Sequence, residues 1–160
     1  MLRRLFLFLA CGLGLAGLAA RAADAEFVRI WPQWQEAAAF ERLGEFFGGA
    51  EPQGRERVLR SRAGERAGYY FLVRVKHAAP LAGATFALQV IRPDAPQAVS
   101  FTFPVGDAGK GETVFQLGLT GADWPGGKNA QPVAWKLELR DASGRPLVTQ
   151  KSFLWEKPAK

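Results

Sequence analysis

The chain has almost no cysteine or histidine, and this scarcity excludes several kinds of site. Cys11 is the only cysteine in 160 residues, so neither a disulfide framework nor a site of several thiolates can form within one chain. His77 is the only histidine, which excludes zinc sites that use several imidazoles. No cofactor motif is recognisable either, so we expect neither a bound metal nor a cofactor.

Long apolar runs are also scarce, and the longest lies at the N-terminus. Arg3 and Arg4 precede an uncharged run over residues 5–20, which is shorter than the roughly 20 residues that span a bilayer. Small residues follow in Ala20-Arg21-Ala22 and in Ala23-Asp24-Ala25, at the spacing that a signal peptidase requires. The pattern predicts a cleavable signal peptide over residues 1–25 and therefore a periplasmic or extracellular protein. The alternatives are an uncleaved segment, which would hold the protein at a membrane, and a lipoprotein acylated at Cys11.

Basic residues exceed acidic ones only slightly. The formal net charge is +6. Setting aside Arg3, Arg4 and Arg21 of the predicted signal peptide leaves 18 basic and 15 acidic residues, a net charge of +3. A charge of this size is ordinary for a soluble protein, so we do not expect a nucleic-acid partner.

Alternating apolar residues are the main structural signal. Tyr69, Phe71, Val73 and Val75 share one parity, whereas Arg74 and Lys76 share the other, as in a strand with one buried face. Similar short runs recur along the chain and are separated by turns rich in glycine and proline. This spacing is typical of an antiparallel two-sheet β-sandwich. The strand order resembles immunoglobulin-like domains in its general pattern, although the cysteine pair of true immunoglobulin domains is missing.

One segment has helical rather than strand periodicity. Ala37, Phe40, Leu43 and Phe47 recur at helical spacing after Pro32, a residue that suits the first turn of a helix. We predict an amphipathic helix over residues 33–47 that packs on the sheet or its edge. The chain is then one β-sandwich domain over residues 26–157, followed by a tail at 158–160.

Catalytic chemistry is not indicated by any motif. His77 ends the central strand without a serine, cysteine or paired carboxylate motif beside it, so we expect a structural or simply exposed imidazole. The loop at residues 106–111 resembles a phosphate loop only faintly, because the residue spacing and the following helix are missing. We therefore predict that the protein is not an enzyme and has no catalytic residues.

The predicted loops suggest a binding site at one end of the domain. If successive strands alternate in direction, loops 62–67, 93–97 and 120–132 lie together. Four side chains would then share this end as candidate ligand-binding residues: Arg62, Arg66, Trp124 and Lys128. The indole of Trp124 either stacks on a ligand or closes the core as a plug, and we favour the plug because tryptophan is usually buried.

The predicted fold, the predicted export and the predicted loop site together favour a non-enzymatic interaction or structural module of the cell envelope. Its partner would be an envelope protein or a polysaccharide. The first alternative is a carbohydrate-binding module that uses exposed tryptophans, for which Trp31, Trp34 and Trp124 are the candidates. The second is a small hydrolase that uses two carboxylates, and it is less favoured because the acidic residues are scattered.

Overall fold

The computed structural model describes residues 24–40 and 56–156. This part of the chain is mainly β and forms two sheets of four strands each. The strands are β1 (Ala25–Gln35), β2 (Glu56–Arg60), β3 (Gly68–His77), β4 (Thr85–Ile91), β5 (Ala98–Pro104), β6 (Gly111–Thr120), β7 (Ala134–Arg140) and β8 (Pro146–Lys151). Sheet 1 has the order β1-β3-β6-β2, and sheet 2 has the order β5-β4-β7-β8.

The strand pairs are antiparallel with one exception. β2 runs parallel to β6, with Val58 opposite Gln116. This pair departs from the antiparallel prediction because β2 does not join the strand that follows it in the sequence. It joins the far edge of sheet 1 beside β6, and the direction of its neighbour there makes the pair parallel.

The hydrophobic core lies where the inner faces of the two sheets meet. Tyr69, Phe71, Val73 and Val75 are buried, as the alternation in this segment predicts. The ring of Phe86 in sheet 2 packs edge-on against Phe115 in sheet 1, with 4.9 Å between the ring centroids. The two sheets therefore share one core, and each keeps a second, outer face.

The predicted helix over residues 33–47 is not supported. Residues 33–35 instead continue β1, in which Trp34 lies opposite Tyr69 of β3. Pro32 fits this position because proline is tolerated in an edge strand, where no inner ladder bond is lost. Residues 37–40 are helical, and the rest of the predicted helix lies outside the described residues.

The alternation of apolar residues also predicts a last strand from Leu147 to Trp155, and the observed strand is shorter. β8 ends at Lys151, and a 3₁₀ turn follows at Phe153–Glu156. The side chain of Ser152 ends the ladder, because its hydroxyl accepts the hydrogen bond from the Trp135 N–H at 2.9 Å. The mixed parity predicts either a bulge or a strand buried on both faces. The structure shows the bulge, because the pairing of β7 with β8 shifts register between Leu139 and Arg140 and the residues of β8 are exposed or half-buried.

The loops gather at two ends as the alternation of strands predicts. At one end, which we call the Trp124 end, the Arg92 guanidinium donates a hydrogen bond to the Asp123 carbonyl at 3.1 Å. There the Arg62 N–H also donates to the Thr120 hydroxyl at 3.1 Å. At the opposite end, the His77 end, the Leu81 N–H donates to the Ala108 carbonyl at 2.9 Å.

Candidate functional site

The indole of Trp124 is part of the core. Its residue is 3% exposed, and its ring stacks on Tyr69 with 4.6 Å between centroids. The indole N–H donates a hydrogen bond to the Gly127 carbonyl at 3.0 Å, so the polar atom is satisfied within its own loop. Burial also raises the pKa of Tyr69. Trp124 therefore closes the core at this end, as the plug interpretation predicts.

The other three residues predicted at the Trp124 end are exposed. Arg62 forms an ion pair with Asp123, with 3.2 Å between Nε and Oδ2. The side chains of Arg66 and Lys128 face solvent. The structure therefore brings Arg62 to the loop that carries Trp124, but the indole itself does not offer a ring face to a ligand.

His77 is buried between two polar neighbours. Its Nδ1 lies 2.9 Å from the Ala79 carbonyl oxygen, and its Nε2 lies 3.3 Å from the Thr113 hydroxyl. Both ring nitrogens are engaged in holding the end of β3 to the loop that follows and to β6. This arrangement matches the structural role expected from the sequence.

A cluster that the sequence did not reveal lies on the outer face of sheet 1. Arg29 of β1 is directly opposite Arg74 of β3. The guanidinium carbon of Arg29 lies 4.1 Å from the ring centroid of Trp31, and that of Arg74 lies 5.7 Å from the same centroid. We call these three residues the Arg–Trp cluster. Both cations are within the distance at which an indole ring attracts a guanidinium.

The charges of the Arg–Trp cluster are only partly compensated. Arg74 pairs with Glu112 of β6, with 3.5 Å between Nε and Oε1. Within residues 24–40 and 56–156, no acidic side chain forms an ion pair with Arg29. Like charges directly opposite each other destabilise a sheet, and the indole offsets part of that cost. Phe40 covers Tyr70 elsewhere on this face, but Arg29 is exposed and the Arg74 side chain is 43% exposed, so the cluster presents positive charge to solvent.

A cavity of about 510 Å³ lies at the His77 end of sheet 1, and Glu112 links it to the Arg–Trp cluster. We call this cavity the hollow. It is lined by Glu26, Lys76, His77, Ala78, Gly111 and Glu112. A second cavity of about 420 Å³ shares Gly111 and Glu112 with the hollow and extends towards Lys110. In this second cavity, Arg57 donates hydrogen bonds to the Val105 and Asp107 carbonyls and so anchors the loop beside it.

The outer face of sheet 2 carries charges that compensate one another. Glu138 is 8% exposed and lies 2.6 Å from the Lys136 ammonium and 2.5 Å from the Arg140 guanidinium. The hydrogen bond from Lys136 lowers the pKa of Glu138 against the opposing effect of burial, and Arg140 adds to the lowering. This face therefore offers a satisfied ion-pair row, in contrast to the Arg–Trp cluster.

The described part of the chain contains neither a cluster of metal-ligand side chains nor a membrane-spanning helix. Among them, no three histidine, cysteine, aspartate or glutamate side chains come close enough together to hold a metal ion. No helix in the described ranges is long and apolar enough to cross a membrane.

The Arg–Trp cluster could not be predicted from the sequence because β1 contains a bulge. The register of β1 against β3 shifts between Phe27 and Arg29, so Glu26 and Arg29 both lie on the outer face although their parities differ. The parity of Arg74 and Lys76 did indicate an outer face for β3. The missing information was which strand pairs with β3, and in which register.

No family model matches the chain, and no curated protein matches its sequence. A β fold of this kind hosts many functions, so function has to be inferred from the geometry of the Arg–Trp cluster and the hollow.

Proposed function

We propose that the protein is an exported, non-enzymatic interaction module of the cell envelope, and that its contact surface is the outer face of sheet 1. The observation that carries this proposal is the position of Arg29 opposite Arg74, with both guanidiniums close to Trp31. Arginine and tryptophan dominate binding energy at protein surfaces, because they combine large contact area with directed polar groups. The adjoining hollow gives this surface a concave part into which a partner group fits.

A carbohydrate-binding module is the second candidate, and Trp31 favours it. Its side chain is half-buried on the outer face of sheet 1, whereas Trp124 is in the core. An aromatic ring on such a face offers apolar area at a low cost in conformational entropy. In this candidate, Trp31 takes the role that the sequence assigned to a group of exposed tryptophans.

The strand order supports an immunoglobulin-like sandwich as the finer description of the fold. With β2 set aside, sheet 1 contains the first, second and fifth strands, and sheet 2 contains the remaining four. Constant-type immunoglobulin domains keep the fourth strand with the first, second and fifth, whereas here it pairs with the third. Related sandwiches share the two-sheet architecture with a different topology and without the cysteine pair.

The proposed contact surface predicts a difference between two variants that remove the same charge. Retention on washed bacterial cell envelopes should fall at least about fivefold for Arg29→Ala/Arg74→Ala, since loss of a central arginine contact commonly costs more than 1 kcal/mol. Retention should be unchanged for Arg66→Ala/Lys128→Ala, which tests the site predicted at the Trp124 end. Co-sedimentation measures both, and thermal melting checks that each variant is folded. Equal retention of the wild type and the first variant, or a loss confined to the second, would contradict the proposal.

The first strand also makes a prediction about export. Ala25 of β1 is 2% exposed and lies opposite His77 of β3. The carbonyl of the preceding residue, Asp24, accepts a hydrogen bond from the Ala78 N–H at 3.2 Å. Cleavage after Ala22 keeps these contacts, whereas cleavage after Ala25 removes them. We therefore expect N-terminal sequencing of the exported protein to begin at Ala23. A mature chain that begins at Glu26 would show that these contacts are dispensable, and one that begins at Met1 would show that no signal peptide is removed.

A further inference from the structure

We infer that Arg29 and Arg74, which lie opposite each other, form a receptor for a carboxylate group. Directly opposite residues on antiparallel strands have Cβ atoms about 5 Å apart, so their guanidiniums can converge on one small anion. Guanidinium forks match the two oxygens of a carboxylate, and such charge-assisted hydrogen bonds are among the strong ones. A bound carboxylate would also relieve the repulsion between the two like charges.

Trp31 preorganises the two arginine side chains of this receptor. Its ring lies 4.1 Å from the guanidinium carbon of Arg29 and 5.7 Å from that of Arg74. Attraction to the indole restricts where each long side chain places its charge. A side chain that is already restricted loses less conformational freedom when a ligand binds, which favours affinity.

The hollow beside the receptor suits hydroxyl groups. Glu26 and Glu112 supply carboxylate oxygens that accept hydrogen bonds, and Lys76 supplies a donor. The volume of the hollow, about 510 Å³, is within the range of small-molecule sites. The second cavity continues past Gly111 and Glu112 to Lys110, so a longer ligand meets another cation there.

Resting on the proposed contact surface, we infer that the ligand is an acidic polysaccharide whose carboxylates bind between Arg29 and Arg74 and whose hydroxyls face the hollow. A membrane of anionic lipids is a poorer match, because its surface brings phosphates against Glu26 and Glu112 as well as the arginines. A sugar chain can direct its carboxylate to the arginines and its uncharged hydroxyls to the two glutamates.

The test measures affinity for polygalacturonate by calorimetry at several salt concentrations. We expect binding that weakens with salt, falls at least about tenfold in Arg29→Ala/Arg74→Ala, and is unchanged in the charge-matched Arg66→Ala/Lys128→Ala. Polygalacturonate whose carboxylates have been reduced to alcohols should not bind. The variant Arg29→Lys/Arg74→Lys keeps the charge but loses the planar forks, so its affinity should fall between the wild type and the double alanine variant.

Each alternative outcome separates this inference from the proposed function. Equal losses in the two charge-matched variants would mean non-specific charge attraction and would overturn the carboxylate receptor. Arginine-dependent binding to phosphatidylglycerol vesicles without binding to polygalacturonate would assign the site to phosphate and overturn the acidic sugar. If retention on envelopes depends on Arg29 and Arg74 while polygalacturonate does not bind, the contact surface stands and the ligand class is wrong. If polygalacturonate binds and retention on envelopes is unaffected by these substitutions, the receptor stands and the proposed function is wrong.

Discussion

Replacing Phe86 with alanine should lower the free energy of unfolding by about 3–5 kcal/mol, the range for a buried aromatic truncation. The residue is fully buried in β4, and its ring bridges the two sheets. It packs edge-on against Phe115 at 4.9 Å and stacks on Phe27 at 6.4 Å between centroids. The substitution therefore leaves a cavity with partners on both sides, which the surrounding strands cannot easily fill.

Chemical denaturation measures this loss, and Thr102→Ala provides the control. Thr102 is exposed on the outer face of the same sheet, so its substitution should change stability by less than about 0.5 kcal/mol. A loss below about 1 kcal/mol for Phe86→Ala would mean that the sheets do not depend on this contact for their packing.

Replacing Trp124 with alanine should have a similar cost of about 3–5 kcal/mol. The substitution removes the stack on Tyr69 and the hydrogen bond to the Gly127 carbonyl, and so opens the core at the Trp124 end. Trp124→Phe keeps an aromatic ring but removes the N–H donor, so it should cost less than the alanine variant. Thermal and chemical unfolding of both variants measure the difference.

The same two variants separate the plug from a ligand contact at Trp124. If the indole binds a ligand, alanine should change stability by less than about 0.5 kcal/mol and reduce retention on polysaccharide. If it is a plug, the fraction of Trp124→Ala protein that remains folded should bind like the wild type. An unchanged melting temperature together with lost binding in Trp124→Ala would show that the binding site lies at the Trp124 end.

The strands and their faces could be read from the sequence because a strand with one buried face leaves a period-two pattern. Tyr69 to Val75 show this pattern, and the same reasoning placed the loops at their ends. The pattern does not specify partners, however. The parallel pairing of β2 with β6 depends on contacts between residues more than 50 positions apart, such as Val58 and Gln116.

The segment after Trp31 shows how a local signal can be overridden. Pro32 and the spacing of Ala37 and Phe40 agree with a helix start, but pairing with β3 extends the strand to Gln35. The Arg–Trp cluster could not be predicted for a related reason. Its geometry depends on a bulge and on a register, and neither has a distinct signature in a single sequence.

The strand order of sheet 1 also bears on how the chain folds. Among the eight strands that the structure describes, neighbours in sheet 2 include two consecutive pairs, β4 with β5 and β7 with β8, whereas sheet 1 has none. Local hairpins close short loops and form early, but pairs that are distant in sequence must first overcome the entropy of closing long loops. If the protein is exported with its N-terminus first, as we propose, β2 emerges well before its partner β6. The sheet that bears the proposed contact surface would therefore be completed only after Thr120 has crossed the membrane.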